Sequence, residues 1–192
     1  YAMMNVSSSH DAPRLLSDFY NPNKYKFQAS QNDNKAYKTG KPDAESYKRL
    51  QLYLVHLFSS IGAPQIWNGE EMGMWGADDP NCRKPLMWKE LSFNPERRNN
   101  IQPGPVEFDS LAFNQQQFEW HKKLISIRKS HPALISGQLN FLVADGKKLM
   151  YERLDKNEAV YVIFNLETSA QSFSLPQKAK WLNLLTNQSF KG

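Results

Sequence analysis

The sequence predicts two β/α units followed by an all-β module. Two short apolar runs in the first part each end in polar and acidic residues and precede a segment with helical spacing. The last third instead contains short strand-like runs separated by turn signals such as Asp145-Gly146. The chain has 192 residues, 40% of them hydrophobic, which is enough to bury a core of useful size. These observations indicate an α/β part and an antiparallel β part.

The first β/α unit begins with an apolar run from Tyr1 to Val6, which we predict to be a strand. A polar segment rich in Asn, Lys and Tyr, from Phe19 to Ala44, is expected to be a long loop. A helix then begins, with Asp43 as its N-cap and Ser46 as a second option. The Gly-Ala-Pro run at 62–64 is expected to stop it. Its apolar positions are Tyr47, Leu50, Leu54, Leu57, Phe58 and Ile61.

The second unit begins with a strand candidate from Ala63 to Trp67. An irregular stretch from Met72 to Leu111 follows, in which Trp75 and Trp88 are expected to pack in the core or between loops. A second helix is predicted from Asn114 to Lys129. Three of its residues are expected in the core, packed against the strands: Phe118, Trp120 and Leu124.

The remainder of the chain is predicted to be an antiparallel β-sandwich. Its strand candidates are Leu139–Val143, Lys148–Leu154, Ala159–Asn165, Ala170–Leu175 and Lys180–Leu185. We therefore expect two domains, 1–131 and 132–192, the second of them incomplete. Because the chain opens inside a predicted strand and two β/α units cannot close a barrel, we expect it to be the C-terminal part of a larger protein.

Charge and cysteine content exclude several classes of function. The formal net charge is +5, but the lysines and arginines are dispersed without a basic run, so nucleic-acid binding is not expected. Cys82 is the single cysteine, which excludes an internal disulfide and a multi-cysteine metal site. No stretch is apolar and long enough to span a membrane. The compartment stays undetermined, and a periplasmic or extracellular location of the intact protein is compatible with these residues.

Candidate chemistry lies where the two predicted strands end. His10-Asp11 follows the first strand and Glu70-Glu71 follows the second, and in β/α barrels catalytic groups sit at the carboxyl ends of the strands. A loop from Asp78 to Pro85 adds acidic and basic groups, including Asp79 and Arg83. Carboxylates, a histidine and an arginine near aromatic rings suit a sugar, whose hydroxyls they bind while the rings cover its apolar C–H faces.

Three motifs resemble the α-amylase family of glycoside hydrolases. Residues 5–14, Asn-Val-Ser-Ser-Ser-His-Asp-Ala-Pro-Arg, are similar to the motif at strand 7 of its (β/α)8 TIM barrel. Residues 62–74, Gly-Ala-Pro-Gln-Ile-Trp-Asn-Gly-Glu-Glu-Met-Gly-Met, are similar to the motif at strand 8. The runs at 78–85 and 181–186 resemble the neopullulanase and cyclomaltodextrinase branch. Two departures are Trp67-Asn68, where the family usually has two tyrosines, and the insertion at 19–44.

The resemblance implies the last two β/α units of the barrel followed by a C-terminal β-sandwich domain. It implies that Asp11 is the carboxylate that stabilises the oxocarbenium-like transition state and that His10 donates to a hydroxyl of the same sugar ring. It places Arg83 and Asp79 at a more remote glucose subsite. Glu71 and Arg14 are further candidates for substrate binding. No metal ligand and no organic cofactor are implied.

The retaining mechanism also needs a nucleophile and a general acid, which this family takes from strands 4 and 5. No Gly-x-Arg-x-Asp arrangement occurs in these 192 residues. We therefore expect the intact enzyme to act on starch, pullulan or maltooligosaccharides. The fragment of 192 residues is expected to be inactive, and to self-associate through its exposed barrel surface. An α-glucosidase or transglycosylating member of the family, and a non-catalytic carbohydrate-binding or structural module, remain alternatives.

Overall fold

The computed structural model describes residues 3–98 and 103–191. The chain divides into two compact units, residues 1–125 and 126–192. The predicted strand at the start of the chain lies partly outside the described residues, at positions 1 and 2. No described helix is long and apolar enough to cross a lipid bilayer.

The first unit contains a parallel strand pair, short helices and long connecting loops. Its elements in chain order are β1 Met4–Asn5, α1 Leu15–Tyr20, α2 Ala44–Ser59, β2 Ala63–Pro64, β3 Glu96–Arg97, β4 Phe108–Asp109 and α3 Gln115–Ser130, whose last residues belong to the second unit. β1 and β2 are parallel, with Met4 opposite Ala63 and Asn5 opposite Pro64. β3 and β4 are antiparallel. The parallel pairing of β1 and β2 is the arrangement expected of neighbouring β/α units.

Helix α2 is stabilised at its start by the predicted N-cap. The Asp43 Oδ1 atom accepts hydrogen bonds of 2.8 Å from both the backbone N–H and the hydroxyl of Ser46. The helix buries one apolar face, formed by Leu50, Leu54, Leu57 and Phe58. It ends at Ser59, before Ile61, which the sequence pattern had included. The prediction of this helix and of its cap is confirmed, with Asp43 rather than Ser46 as the capping residue.

The loop predicted from Phe19 onward is corrected by helix α1, which continues to Tyr20. Leu15 and Leu16 of this helix are buried, and the hydroxyl of Ser17 accepts a 2.9 Å hydrogen bond from the backbone N–H of Gly76. A six-residue helix is too short to be stable by itself. Contacts with distant residues such as Gly76 therefore stabilise it, and local sequence does not reveal them.

Helix α3 lies within one residue of its predicted bounds, but its buried face differs from the prediction. Gln117, His121 and Leu124 are buried, whereas Phe118 and Trp120 are only half-buried. The spacing of Gln117, His121 and Leu124 is that of one helical face, and two of its members are polar. The assignment of Phe118 and Trp120 to the buried core was therefore wrong.

The second unit contains a short helix and antiparallel strands. Its elements are α4 Pro132–Ser136, β5 Gln138–Asp145, β6 Lys148–Leu154, β7 Ala159–Asn165, β8 Lys180–Asn183 and β9 Gln188–Lys191. β5, β6 and β7 form one sheet in that order, and β8 pairs with β9. The Tyr161 and Trp181 rings meet edge to face, with centroids 5.1 Å apart. Residues 170–175 are not a strand, so that prediction was wrong, and β9 was not predicted.

Candidate substrate site

A polar network surrounds Asp11, in the loop that follows β1. The Asp11 Oδ2 atom lies 3.1 Å from His10 Nε2, and its Oδ1 atom lies 3.4 Å from Arg83 Nη2. The side chains of His10 and Asp11 are 59% and 57% exposed. The carboxylate is therefore oriented by two neighbours and still open to solvent, where a ligand hydroxyl could reach it.

Arg83 connects this network to the loop after β2. It ends a 3-10 turn, Asn81–Arg83, and its Nε atom lies 2.7 Å from Asp79 Oδ1 and donates to the His10 carbonyl at 3.0 Å. The thiol of Cys82 also donates to the His10 carbonyl, at 3.2 Å. The structure thus brings together His10, Asp11, Asp79 and Arg83. Arg83 contacts Asp11 and Asp79 contacts Arg83, whereas the resemblance had placed both residues at a more remote subsite.

Trp67 adds an aromatic ring beside the same network. Its ring centroid lies 6.1 Å from that of His10, and the two planes are tilted by 45°. In the sequence Trp67 stands out only as a departure from the family pattern, and no role for it was predicted. Its position at the carboxyl end of the predicted strand Ala63–Trp67 was the signal that could have placed it here, since binding and catalytic groups of β/α barrels lie at that end of the strands.

Arg14 is buried, at 1% exposure, which corrects its assignment as a substrate-binding residue. Its Nε atom donates to the Cys82 carbonyl at 2.9 Å and its Nη1 atom donates to the Asn68 carbonyl at 3.0 Å. These bonds join the loop after β1 to the loops around Asn68 and Cys82. Arg14 therefore positions the loops that carry the Asp11 network and does not face a ligand.

Glu70 is also buried. One of its oxygens, Oε1, accepts hydrogen bonds from the Ser8 hydroxyl at 3.0 Å and from the Leu15 backbone N–H at 3.3 Å, and it lies 3.9 Å from Arg14 Nη1. Burial raises the pKa of Glu70 to about 7, although Arg14 and the hydrogen bonds from Ser8 and Leu15 oppose this effect. Glu70 is thus part of the buried packing between the loops.

Glu71 is half-buried and turns back onto its own loop. Its Oε2 atom accepts a 2.9 Å hydrogen bond from the backbone N–H of Gly69. None of the contacts described for this side chain joins it to Asp11, so the structure does not bring Glu71 into the exposed network.

A concave space lies in the 74–111 segment, with a volume of about 310 Å³. Its lining is mostly apolar and includes Met74, Met87, Phe93 and Leu111, while its charged residues, Lys84 and Glu96, pair with each other at 2.8 Å. This lining suits hydroxyl groups poorly, so the space is not the candidate sugar site.

Trp75 and Trp88 differ in burial. Trp75 is buried, as predicted, with the ammonium groups of Lys41 and Lys84 near its ring. Trp88 is exposed, so its predicted packing role was wrong.

Within the described ranges 3–98 and 103–191, no three His, Cys, Asp or Glu side chains are grouped so that they could hold a metal ion.

Sequence comparisons identify relatives along nearly the whole chain, although no family model matches it. A cyclomaltodextrinase of Geobacillus thermopakistaniensis (strain MAS1) is 30% identical, over 98% of this chain and 26% of its own length. Neopullulanase 2 of Thermoactinomyces vulgaris is 27% identical, over 75% of this chain and 22% of its own length. The chain therefore spans about a quarter of the length of these relatives.

The fold comparison agrees. The solved structure of a cyclomaltodextrinase matches 94% of this chain and 24% of its own length, with a TM-score of 0.62 and 25% identity. The sequence comparison and the fold comparison lead to the same group of enzymes. The chain is homologous, over nearly its whole length, to the α-amylase family of glycoside hydrolases.

Proposed function

We propose that this chain forms the last two β/α units of the barrel and the following β-domain of a retaining α-glucan hydrolase. The observation that carries the proposal is the exposed carboxylate of Asp11 after β1, held by His10 and Arg83. The relatives that support it are a cyclomaltodextrinase and a neopullulanase, so the proposed substrates are starch, pullulan and maltooligosaccharides. No organic cofactor takes part in the proposed reaction.

In this proposal Asp11 stabilises the positive charge that develops on the sugar ring in the transition state. Its exposed oxygens accept hydrogen bonds from ring hydroxyls, and such bonds strengthen as the ring becomes oxocarbenium-like. His10, 3.1 Å from the carboxylate, donates to a hydroxyl of the same ring. Trp67, beside His10, offers a ring surface to the apolar C–H face of the sugar.

Arg83 and Asp79 then have two functions. Their ion pair orients Asp11 in the free protein, and their remaining polar atoms bind hydroxyls of a glucose unit next to the reacting one. Because both side chains are partly exposed, exchanging one of their mutual contacts for a sugar hydroxyl costs little free energy. Arg14 supports this arrangement from inside the loops.

The nucleophile and general acid are proposed to come from residues outside this sequence. A retaining glycosidase needs two carboxyl groups about 5 Å apart on either side of the scissile bond. By resemblance to the family these two groups come from strands 4 and 5, and the Gly-x-Arg-x-Asp arrangement that would carry the nucleophile does not occur in these 192 residues. We therefore expect the 192 residues alone to leave maltooligosaccharides intact, and hydrolysis by the purified chain would overturn this part of the proposal.

Replacement of Asp11 tests the proposed function in the protein at its full natural length. Asp11→Asn removes the charge while keeping the shape, and we expect turnover of maltotriose to fall about a thousandfold, since several kcal/mol of transition-state stabilisation are lost. The matched control is Glu45→Gln, which alters an exposed carboxylate that is also paired with an arginine, Arg49. Asp11→Asn turnover within fivefold of the control would contradict the assignment.

The isolated chain is further proposed to self-associate through the β1–β2 pair. Among the described strands each of these two pairs only with the other, which leaves one backbone edge of each open. Met3, Met4 and Val6, at or beside β1, are exposed. Light scattering on the 192-residue chain should detect a dimer or larger species, and a monomer over the whole concentration range would refute this.

A further inference from the structure

Two exposed aromatic rings project from the 19–44 segment, which the function proposed above does not use. Tyr25 is 62% exposed and Phe27 is 71% exposed. Their rings meet edge to face, with centroids 5.9 Å apart and planes at 80°. Edge-to-face contact is a favourable geometry for aromatic pairs, so each ring helps to hold the other in place.

The backbone below the rings is ordered by hydrogen bonds. Lys26–Gln28 form a 3-10 turn, in which the Gln28 N–H donates to the Tyr25 carbonyl at 2.8 Å and the Ala29 N–H donates to the Lys26 carbonyl at 3.0 Å. Ala29 itself is buried against Tyr37 and Ala77. The two rings are therefore presented on an anchored turn, which lowers the entropy lost when a ligand binds them.

The same anchor connects the rings to the candidate substrate site. The Ala29 carbonyl accepts a 2.9 Å hydrogen bond from the Asp78 N–H, and Asp79, the next residue, lies 2.7 Å from Arg83 of the Asp11 network. Standard backbone dimensions then limit the distance between the Cα atoms of Phe27 and Asp79 to about 18 Å. A glucan of several glucose units is long enough to extend over such a distance.

The surroundings of the rings suit a sugar better than a protein. The neighbouring exposed residues are polar, among them Asn23, Lys24 and Lys26, and can bind hydroxyl groups at the edge of the rings. Two aromatic side chains provide no more than about 500 Å² of apolar area. A stable protein interface needs about 800 Å² on each partner, with an apolar centre, which this surface does not supply.

We infer that Tyr25 and Phe27 form an auxiliary platform that binds the apolar faces of glucose units in an α-glucan extending from the Asp11 site. The inference rests on the function proposed above and adds a preference for long chains. A maltotriose bound at Asp11 is too short to make full contact with the platform, whereas maltoheptaose and starch are long enough to reach it.

The test compares affinities for maltoheptaose and maltotriose by calorimetry, with the protein at its full natural length carrying Asp11→Asn in every variant, so that neither sugar is hydrolysed during the titration. In the double variant Tyr25→Ala/Phe27→Ala, we expect the ratio of the two association constants to fall about tenfold, since the affinity gained by stacking is of that order. The exchange Tyr25→Phe/Phe27→Tyr keeps both rings and should keep the ratio. The matched control is Phe141→Ala, which removes another exposed ring (61%) in an edge-to-face pair with a tyrosine.

The possible results distinguish a failure of the platform hypothesis from a failure of the proposed function. A ratio that stays within twofold in the alanine double variant, while Asp11→Asn abolishes turnover, overturns the platform alone. An active Asp11→Asn enzyme overturns the proposed function itself. A changed oligomeric state in the alanine double variant, seen by light scattering with an unchanged ratio, also overturns the platform, because the rings would then contact a second copy.

Discussion

The Nε atom of Arg14 donates a 2.9 Å hydrogen bond to the carbonyl oxygen of Cys82. The two residues belong to different loops, one after β1 and the other after β2, and both are buried. This bond fixes the main chain next to Arg83, the residue that reaches Asp11. The exposed network therefore depends on a buried guanidinium that does not touch it.

Removal of Arg14 should destabilise the protein strongly. Arg14→Ala leaves the buried carbonyl of Cys82 and the partly buried carbonyl of Asn68 without this donor and leaves Glu70 without its cation. We therefore expect a loss of about 3 kcal/mol in the free energy of unfolding, measured with urea. The control is Arg49→Ala, which breaks an exposed ion pair with Glu45 and should cost about 0.5 kcal/mol or less. Equal losses in the two variants would contradict the assigned role of Arg14.

Gly69 should not tolerate a side chain. Its φ is +99°, in the left-handed region, and an added Cβ would lie 2.5 Å from Met74 Sδ and 3.0 Å from Arg14 Nη1. We expect Gly69→Ala to lower the free energy of unfolding by about 2 kcal/mol. Gly104→Ala is the control, because a Cβ there meets nothing within 4 Å. Thermal unfolding of both variants measures the difference, and a neutral Gly69→Ala would refute it.

The buried carboxyl of Glu70 should make stability depend on pH. Burial raises its pKa to about 7, from an ordinary value of 4.5, so the folded state holds this proton more tightly than the unfolded state. The stabilisation from Glu70 is then complete below about pH 4.5 and is lost as the pH rises to about 7. Burial and the proximity of Glu70 also raise the pKa of Asp18 to about 7, which acts in the same direction.

The variant Glu70→Gln isolates the contribution of Glu70. Urea unfolding at pH 5 and pH 8 should show a smaller difference in stability for Glu70→Gln than for the wild type. The part that the burial of Asp18 contributes should remain in the variant, whereas the smaller part that depends on the charge of Glu70 should be lost. If the variant retains the full wild-type difference, Glu70 is not the group responsible.

Cys82 should react with thiol reagents only after unfolding. Its side chain is buried, its thiol donates to the His10 carbonyl, and burial raises its pKa, so little reactive thiolate is available. We expect labelling by a disulfide reagent to be slow in buffer and fast in urea. In the Arg14→Ala variant, labelling in buffer should be faster, because the loop that carries Cys82 is no longer fixed by Arg14. Rapid labelling of the native wild type would contradict the prediction, since it would show that the thiol is accessible in the folded protein.

Elements with a strong local pattern could be predicted from the sequence. The N-cap at Asp43 and the apolar spacing of α2 located that helix, and α3 was located within one residue. The bounds of β6 and β7 agree with the prediction, because each is a run of strand-forming residues between clear turn signals. In these cases the residues that determine the structure are close together in the chain.

The errors share a different physical cause. Helix α1 depends on contacts such as that between Ser17 and Gly76, which local periodicity does not contain. The burial of Arg14 depends on acceptors at Asn68 and Cys82, far along the chain. The candidate site shows the same division: sequence motifs located His10 and Asp11, but only the structure showed that Arg83 contacts Asp11 and that Glu71 does not join them.

The pairing of β1 with β2 has a consequence for the order of folding. Along the chain Met4 precedes α1 and Ala63 follows α2. Their contact therefore closes a long loop that contains both helices and the 19–44 segment. Such closure is slow and follows the formation of local structure. Replacements in β1 should therefore accelerate unfolding and leave the refolding rate nearly unchanged, whereas replacements in the hairpin of β6 and β7 are expected to slow refolding.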